Sequence, residues 1–146
     1  MAVDPGEKHL GIAISDPSGA IANPWGVIHH VARAVDAAAV AAVAAENGVG
    51  LIVVGQPLDD EGQVGPAARK SARVAEAIRE QTALPVVLWD ESGSTQTARQ
   101  AGILLNVRRE RRRGHLDHLA ATVILQSYLD AQAGAPPTGL GAPDAS

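Results

Sequence analysis

The sequence predicts an α/β fold: a mixed five-stranded sheet, three antiparallel strands followed by two parallel ones, flanked by helices in the order βββαβαβαα. Three observations carry that prediction. The first 31 residues have extended character, and "HLGIAIS" (9–15) puts Leu10, Ile12 and Ile14 on one face and Gly11, Ala13 and Ser15 on the other. Two later runs, "LIVVG" (51–55) and "LPVVLWDE" (84–91), are apolar over strand length, the pattern of strands buried on both faces. Segments of helical composition separate and follow them. An antiparallel start followed by strand–helix alternation gives a mixed sheet with helices on both faces.

Each element has its own warrant. A short apolar lead-in runs into Asp4, Pro5 and Gly6, good turn chemistry before the alternating second strand. "DPSG" (16–19) is a second turn, and residues 20–31 resume extended structure to complete a meander. "ARAVDAAAVAAVAAENG" (32–48) is an alanine-rich helix closed by Asn47-Gly48. After "LIVVG", the polar loop 56–66 ends in Pro66, suited to the first turn of the next helix. That helix, 67–82, is amphipathic, with Ala67, Val74 and Ile78 expected inward and Arg69, Lys70 and Arg73 outward. A helix is predicted over 94–105, capped by Ser94 or Thr95, and a last one over 115–131. Residues 1–131 make one domain, and the Pro/Gly-rich tail 132–146 is predicted to be disordered.

Hydrophobic residues form 46% of the chain, yet aromatics are only 2% and Phe is absent, so the core must be Val, Ile, Leu and Ala. No apolar stretch reaches the ~18–20 residues of a membrane span. Asp4 and Glu7 come too early for a secretory leader. With no cysteine, disulfide and thiolate chemistry are excluded. A cytoplasmic protein with no membrane partner is expected. The net charge of -4 argues against coating nucleic acid by bulk electrostatics. The charge is uneven, however: Arg108, Arg109, Arg111, Arg112 and Arg113 crowd around Glu110. Such a run is either a solvated connector or a local grip on phosphate.

Three acids fall where a doubly wound architecture builds its sites, at carboxyl ends of strands and at helix edges. Asp4 ends the first strand, and Glu91, beside Asp90, ends "VVLWDE". Asp117 opens the last helix, with Ala120, Ala121 and Ile124 following at i+3, i+4 and i+7, a core-facing stripe. Each has a plain reading, Asp4 as a turn residue and Asp117 as an acid favoured by the helix dipole. Converging on one sheet edge, they read instead as ligands. An oxygen-only set suits Mg²⁺ or Mn²⁺ rather than Zn²⁺. Two such ions about 3.5–4 Å apart activate a water and stabilise the leaving oxygen of a phosphodiester. The arginines and the amides of the glycine-rich turns then have phosphate to hold.

"DPGEKHLGIAISDP", "VVGQPLDDEGQVGP", "LWDESGST" and "GHLDHLAATVILQSYL", in that order and at that spacing, resemble the YqgF-type pre-16S rRNA nucleases. These are small relatives of Holliday-junction resolvases, and the resemblance covers roughly residues 1–131. It implies a ribonuclease H-like fold and metal-dependent hydrolysis of phosphodiester bonds, with 5′-end processing of precursor 16S rRNA in ribosome biogenesis. It further implies that Asp4, Glu91 and Asp117 are the catalytic, metal-binding triad. Implied partners are nucleic acid, as precursor rRNA or structured DNA, and ribosome-assembly or transcription factors. The chain departs from the family pattern in three places. Lys8-His9 replaces Lys-Arg, and Ser92-Gly93 follows Asp90-Glu91 where the family has Arg and a larger residue. Only three residues precede Asp4, where the family has several more. Lys8, on the opening hairpin, is the candidate to replace the lost cation as a substrate contact.

Other functions compete. A Holliday-junction or branched-DNA resolvase would use the same triad. A binding module for nucleic acid or a transcription factor would keep the fold with a decayed site. An ATPase of the actin or sugar-kinase type needs two lobes, and 146 residues supply one. His115 and His118 flank Asp117 without a third nitrogen or sulfur ligand nearby, and adjacent His29 and His30 face opposite ways on a strand. Trp89 reads as a core residue rather than a base-stacking platform.

Overall fold

Five strands form one sheet in the spatial order β3-β2-β1-β4-β5. β1 (Ala2–Pro5), β2 (His9–Ser15) and β3 (Ala22–His29) make the antiparallel meander. β4 (Ile52–Gln56) pairs parallel with β1, and β5 (Val86–Asp90) parallel with β4. Among the described residues three helices accompany them: α1 (Arg33–Glu46), α2 (Pro66–Arg79) and α3 (Leu116–Ala133). The computed structural model describes residues 1–58, 62–90 and 116–134, with side chains in the last stretch from residue 119. The mixed sheet and the element order match the sequence prediction. The helix expected over 94–105, the arginine run and the tail from residue 135 lie outside the described residues. α3 continues to Ala133, two residues past its predicted end.

Strand alternation builds a core on each face of the sheet. Val3, Leu10, Ile12, Ile52 and Val54 pack with Val40 and Ala44 of α1 and with Ala75 and Ile78 of α2. On the other face Ala2, Ala13 and Val53 meet Ala121, Ile124 and Leu125 of α3. Small residues on that second face let α3 approach closely. Met1 begins the central strand from inside the core: its α-amino group donates to the Leu51 carbonyl at 3.0 Å, and burial pushes that amine down to about 6.

The helix ends follow from local chemistry. α1 stops in a Schellman arrangement, with Gly48 at φ 64, its N–H on Ala45 O and the Val49 N–H on Ala44 O. Its start has no capping side chain at Ala32. Asp36, one turn inside, ties the helix instead to the segment that precedes it. Its buried carboxylate accepts the Val31 N–H at 2.9 Å and also binds His30 Nδ1. Asp36→Ala strands both donors, so a loss of about 2–3 kcal/mol in unfolding free energy is expected, measured by urea denaturation.

α2 corrects the expected helical phase. Its buried stripe is Ala68, Ser71, Ala75 and Ile78, whereas Ala67 is exposed and Val74 half-buried. Starting at Pro66 turns the small residues, not Ala67, toward the sheet. Lys70, expected outward with Arg69 and Arg73, is half-buried instead and donates from Nζ to the Gly6 carbonyl at 2.7 Å.

β3 is an edge strand and carries an irregularity. Ile12 pairs with Gly26 but Ala13 with Pro24, so Trp25 is the extra residue of a bulge. Gly26 adopts φ 150 there. Between β2 and β3, Asp16 anchors the turn by accepting the N–H groups of Ile21 at 3.1 Å and Ala20 at 3.0 Å and the Ser18 hydroxyl at 2.8 Å. The Ile21 N–H foremost, with the Ser18 hydroxyl, holds the Asp16 carboxyl below the usual range.

Candidate active site

Asp4 takes its position from the alternation of β1. Val3 enters the core beneath α1 and α2, and Ala2 the core beneath α3. Asp4 therefore falls on the α3 face, at the carboxyl end of the central strand, where it is half-buried. Its antiparallel partner is Gly11. On the other side Val3 pairs with Val54, which brings Gly55 abreast of Asp4. No side chain from β2 or β4 covers the carboxylate at that level. The turn beyond it is equally determined: the Gly6 N–H donates to His9 O at 2.9 Å, and a Cβ at Gly6 would sit 2.5 Å from that oxygen. Asp-Pro-Gly is thus genuine turn chemistry, and it fixes where Asp4 leaves the sheet.

β5 runs parallel to β1 and β4, so its carboxyl end emerges at the same edge. Asp90, paired with Gln56, is its last residue. Glu91 lies outside the described residues, as do Ser92 and the five arginines 108, 109, 111, 112 and 113. Asp117 sits in the first turn of α3, its side chain outside the described set. Of the stripe expected to follow it, Ala121 and Ile124 are buried and Ala120 is half-buried. Lys8 is exposed in the opening hairpin, where its carbonyl accepts the His30 N–H at 2.9 Å.

The carboxyl-terminal half of α3 is tied to the sheet by three side chains. Gln126 Oε1 accepts the Ala22 N–H and its Nε2 donates to Ala20 O, both at 3.0 Å. Trp89 Nε1 donates to Ser127 Oγ at 3.1 Å, and its ring meets Tyr128 edge-on with centroids 5.2 Å apart. Trp89 is a core residue that pins β5 to α3, as its sequence context suggested.

Among the described residues no group of three metal-ligating side chains forms. The donor chemistry at this edge nevertheless fits a hard cation: a carboxylate at a strand end, flanked by glycines, in a chain without cysteine. Two features escaped the reading of the sequence. Gly11 and Gly55 interrupt their apolar runs at the level of Asp4, a signal that becomes legible only once the register is known. The Asp36–His30 contact joins a helix to a strand end and gives no signal in spacing.

A model of the RuvX family, described as Holliday junction resolvase, matches residues 1–131. The chain belongs to the RuvX family. A protein of Geobacillus kaustophilus named "Putative pre-16S rRNA nuclease" is 42% identical over 134 residues, spanning 90% of this chain and 97% of the relative. One of the same name from Thermoanaerobacter pseudethanolicus is 38% identical over 133 residues, spanning 90% and 96%. Among solved structures, Thermus thermophilus RuvC in complex with Holliday junction substrate superposes with a TM-score of 0.59 at 20% identity, covering 90% of this chain and 93% of that one. That likeness shows the fold, which is ribonuclease H-like. Membership of the RuvX family makes this chain a nuclease, a hydrolase of nucleic-acid phosphodiester bonds.

Proposed function

We propose that this RuvX-family nuclease holds two divalent cations, Mg²⁺ or Mn²⁺, on Asp4, Glu91 and Asp117 and cleaves precursor 16S rRNA at its 5′ end. The observation that carries the reading is Asp4: half-buried at the carboxyl end of the central strand, between Gly11 and Gly55, on the face covered by α3. The parallel course of β1, β4 and β5 supports a site at one edge, because Glu91 is the residue after β5. The family match over residues 1–131 supports a catalytic domain of that span. Ions bound here supply an activated water and charge stabilisation at the leaving oxygen. The carboxylates orient the reacting groups, while Lys8 and the arginines of 108–113 hold substrate phosphates in line. The names of the relatives favour RNA.

Branched DNA is the second reading, favoured by the likeness to RuvC bound to a Holliday junction. Purified protein with Mg²⁺ or Mn²⁺, offered a precursor rRNA fragment and a four-way DNA junction side by side, separates the two. Cleavage of the RNA is the expected result, and cleavage confined to the junction would reassign the substrate. Contacts with ribosome-assembly or transcription factors and a cytoplasmic location belong to the same reading, since precursor rRNA is matured where ribosomes assemble. Among the described residues no helix is long and apolar enough to cross a membrane.

Neutralising Arg108, Arg109, Arg111, Arg112 and Arg113 together is expected to weaken nucleic-acid binding and flatten its dependence on salt, by about 0.7 in log–log slope per lost contact to a single strand. The melting temperature should hardly move, because charges that serve to hold substrate contribute little to the stability of the free protein. An unchanged salt slope would make the run a solvated connector.

A further inference from the structure

A cavity of about 380 Å³ opens on the face of the sheet opposite α3, between the opening hairpin, the start of α1 and the middle of α2. Pro5, Leu10 and Val74 give it an apolar floor. Its rim is cationic, with Arg33 from α1 and Lys70 and Arg73 from α2. Arg33 and Arg73 are exposed, and among the described residues neither pairs with a carboxylate. The acid in the lining, Asp36, is already engaged by His30 Nδ1 and the Val31 N–H. That engagement orients the His30 ring and leaves Nε2 as the nitrogen available to a guest. Lys70 is fixed on the wall by its bond to Gly6 O, with two further N–H donors to offer.

The cavity therefore gathers three cations around an acid whose hydrogen bonds are made, in a chain of net charge -4. Like charges drawn to one concavity repel one another, and a bound anion offsets that repulsion. Arginine forks match phosphate oxygens in pairs, while lysine contributes a point charge. An apolar floor below such a rim suits the ribose and base of a nucleotide, and the volume lies at the lower end of small-ligand sites.

We propose that this cavity is a second nucleotide-binding site, anchored on phosphate by Arg33, Lys70 and Arg73, on the opposite face of the sheet from Asp4. The chemistry it recognises is a phosphate ester joined to a base, supplied by a free mononucleotide or by one unit of a nucleic-acid strand. It does not depend on the assignment of the metal site.

The test is a calorimetric titration in EDTA with 5′-AMP and, separately, with a short single-stranded oligonucleotide. Saturable binding of at least one is expected, weakened tenfold or more in the double variant Arg33→Ala/Arg73→Ala. Arg69→Ala should leave binding unchanged, because that side chain on the same helix is directed to the Val64 carbonyl at 3.3 Å. Binding of AMP identifies free nucleotide as a source, and binding of the oligonucleotide without AMP identifies a strand. Asp4→Asn should retain this binding, so loss of cleavage and loss of the cavity's ligand are read separately. Absence of saturable binding to both probes, or equal binding by the double variant, overturns the proposal.

Discussion

Asp4→Asn is expected to abolish cleavage, lowering the rate by more than about a hundredfold, while the chain stays folded. The exchange keeps the shape of the side chain and removes the charge that a hard cation requires. Loss of a supporting group around a metal already costs about 10–100-fold, and loss of a ligand should exceed that. Glu91→Gln and Asp117→Asn should behave alike. In the proposed site the three carboxylates would repel one another without metal, so the melting temperature of each variant in EDTA should match or exceed the parent's. Added Mn²⁺ should raise the parent's melting temperature and move the variants' much less, since only a ligand of the native state stabilises it. Full activity in any of the three would remove that residue from the site.

Gly55→Val is the second large effect expected. Valine favours strands, so the backbone preference of β4 is not opposed. Its branched side chain, however, would stand abreast of Asp4 on the α3 face, where Gly11 and Gly55 are both buried and bring no side chain of their own. Activity should fall by roughly tenfold or more, with a stability cost of about 1–3 kcal/mol for overpacking. Gly50→Ala provides the control, since a Cβ there meets nothing within 4 Å. Cleavage rates and Mn²⁺-induced shifts in melting temperature, measured on all three proteins, decide it. A fully active Gly55→Val protein would mean that the reacting groups gather elsewhere than beside Asp4.

Much of the architecture was legible because alternation and apolar runs report burial directly. "HLGIAIS" and "LIVVG" became β2 and β4 within a residue or two, and Asn47-Gly48 closed α1 as their chemistry requires. The phase of α2 was misread because Ala67 and Ala68 are equally apolar; packing against the sheet chose Ala68. Asp36 is one acid on an alanine-rich helix, and its role in anchoring the helix start depends on His30 and Val31 folding back upon it. The position of Asp4 could be read from the strand end. The glycines beside it could not, because strand register is a property of three separated segments rather than of any one of them.

The bulge in β3 bears on how the protein behaves in concentrated solution. An outer strand with regularly spaced amides invites another chain to extend the sheet, the first step toward aggregation. β3 declines the invitation. Pro24 has no amide hydrogen to offer, and the residue inserted at Trp25 twists the edge out of the flat geometry a newcomer would need. Gly26, at φ 150, holds a backbone conformation that L side chains rarely adopt. The half-exposed Trp25 can thus face solvent on this rim without opening a path to fibrous assembly.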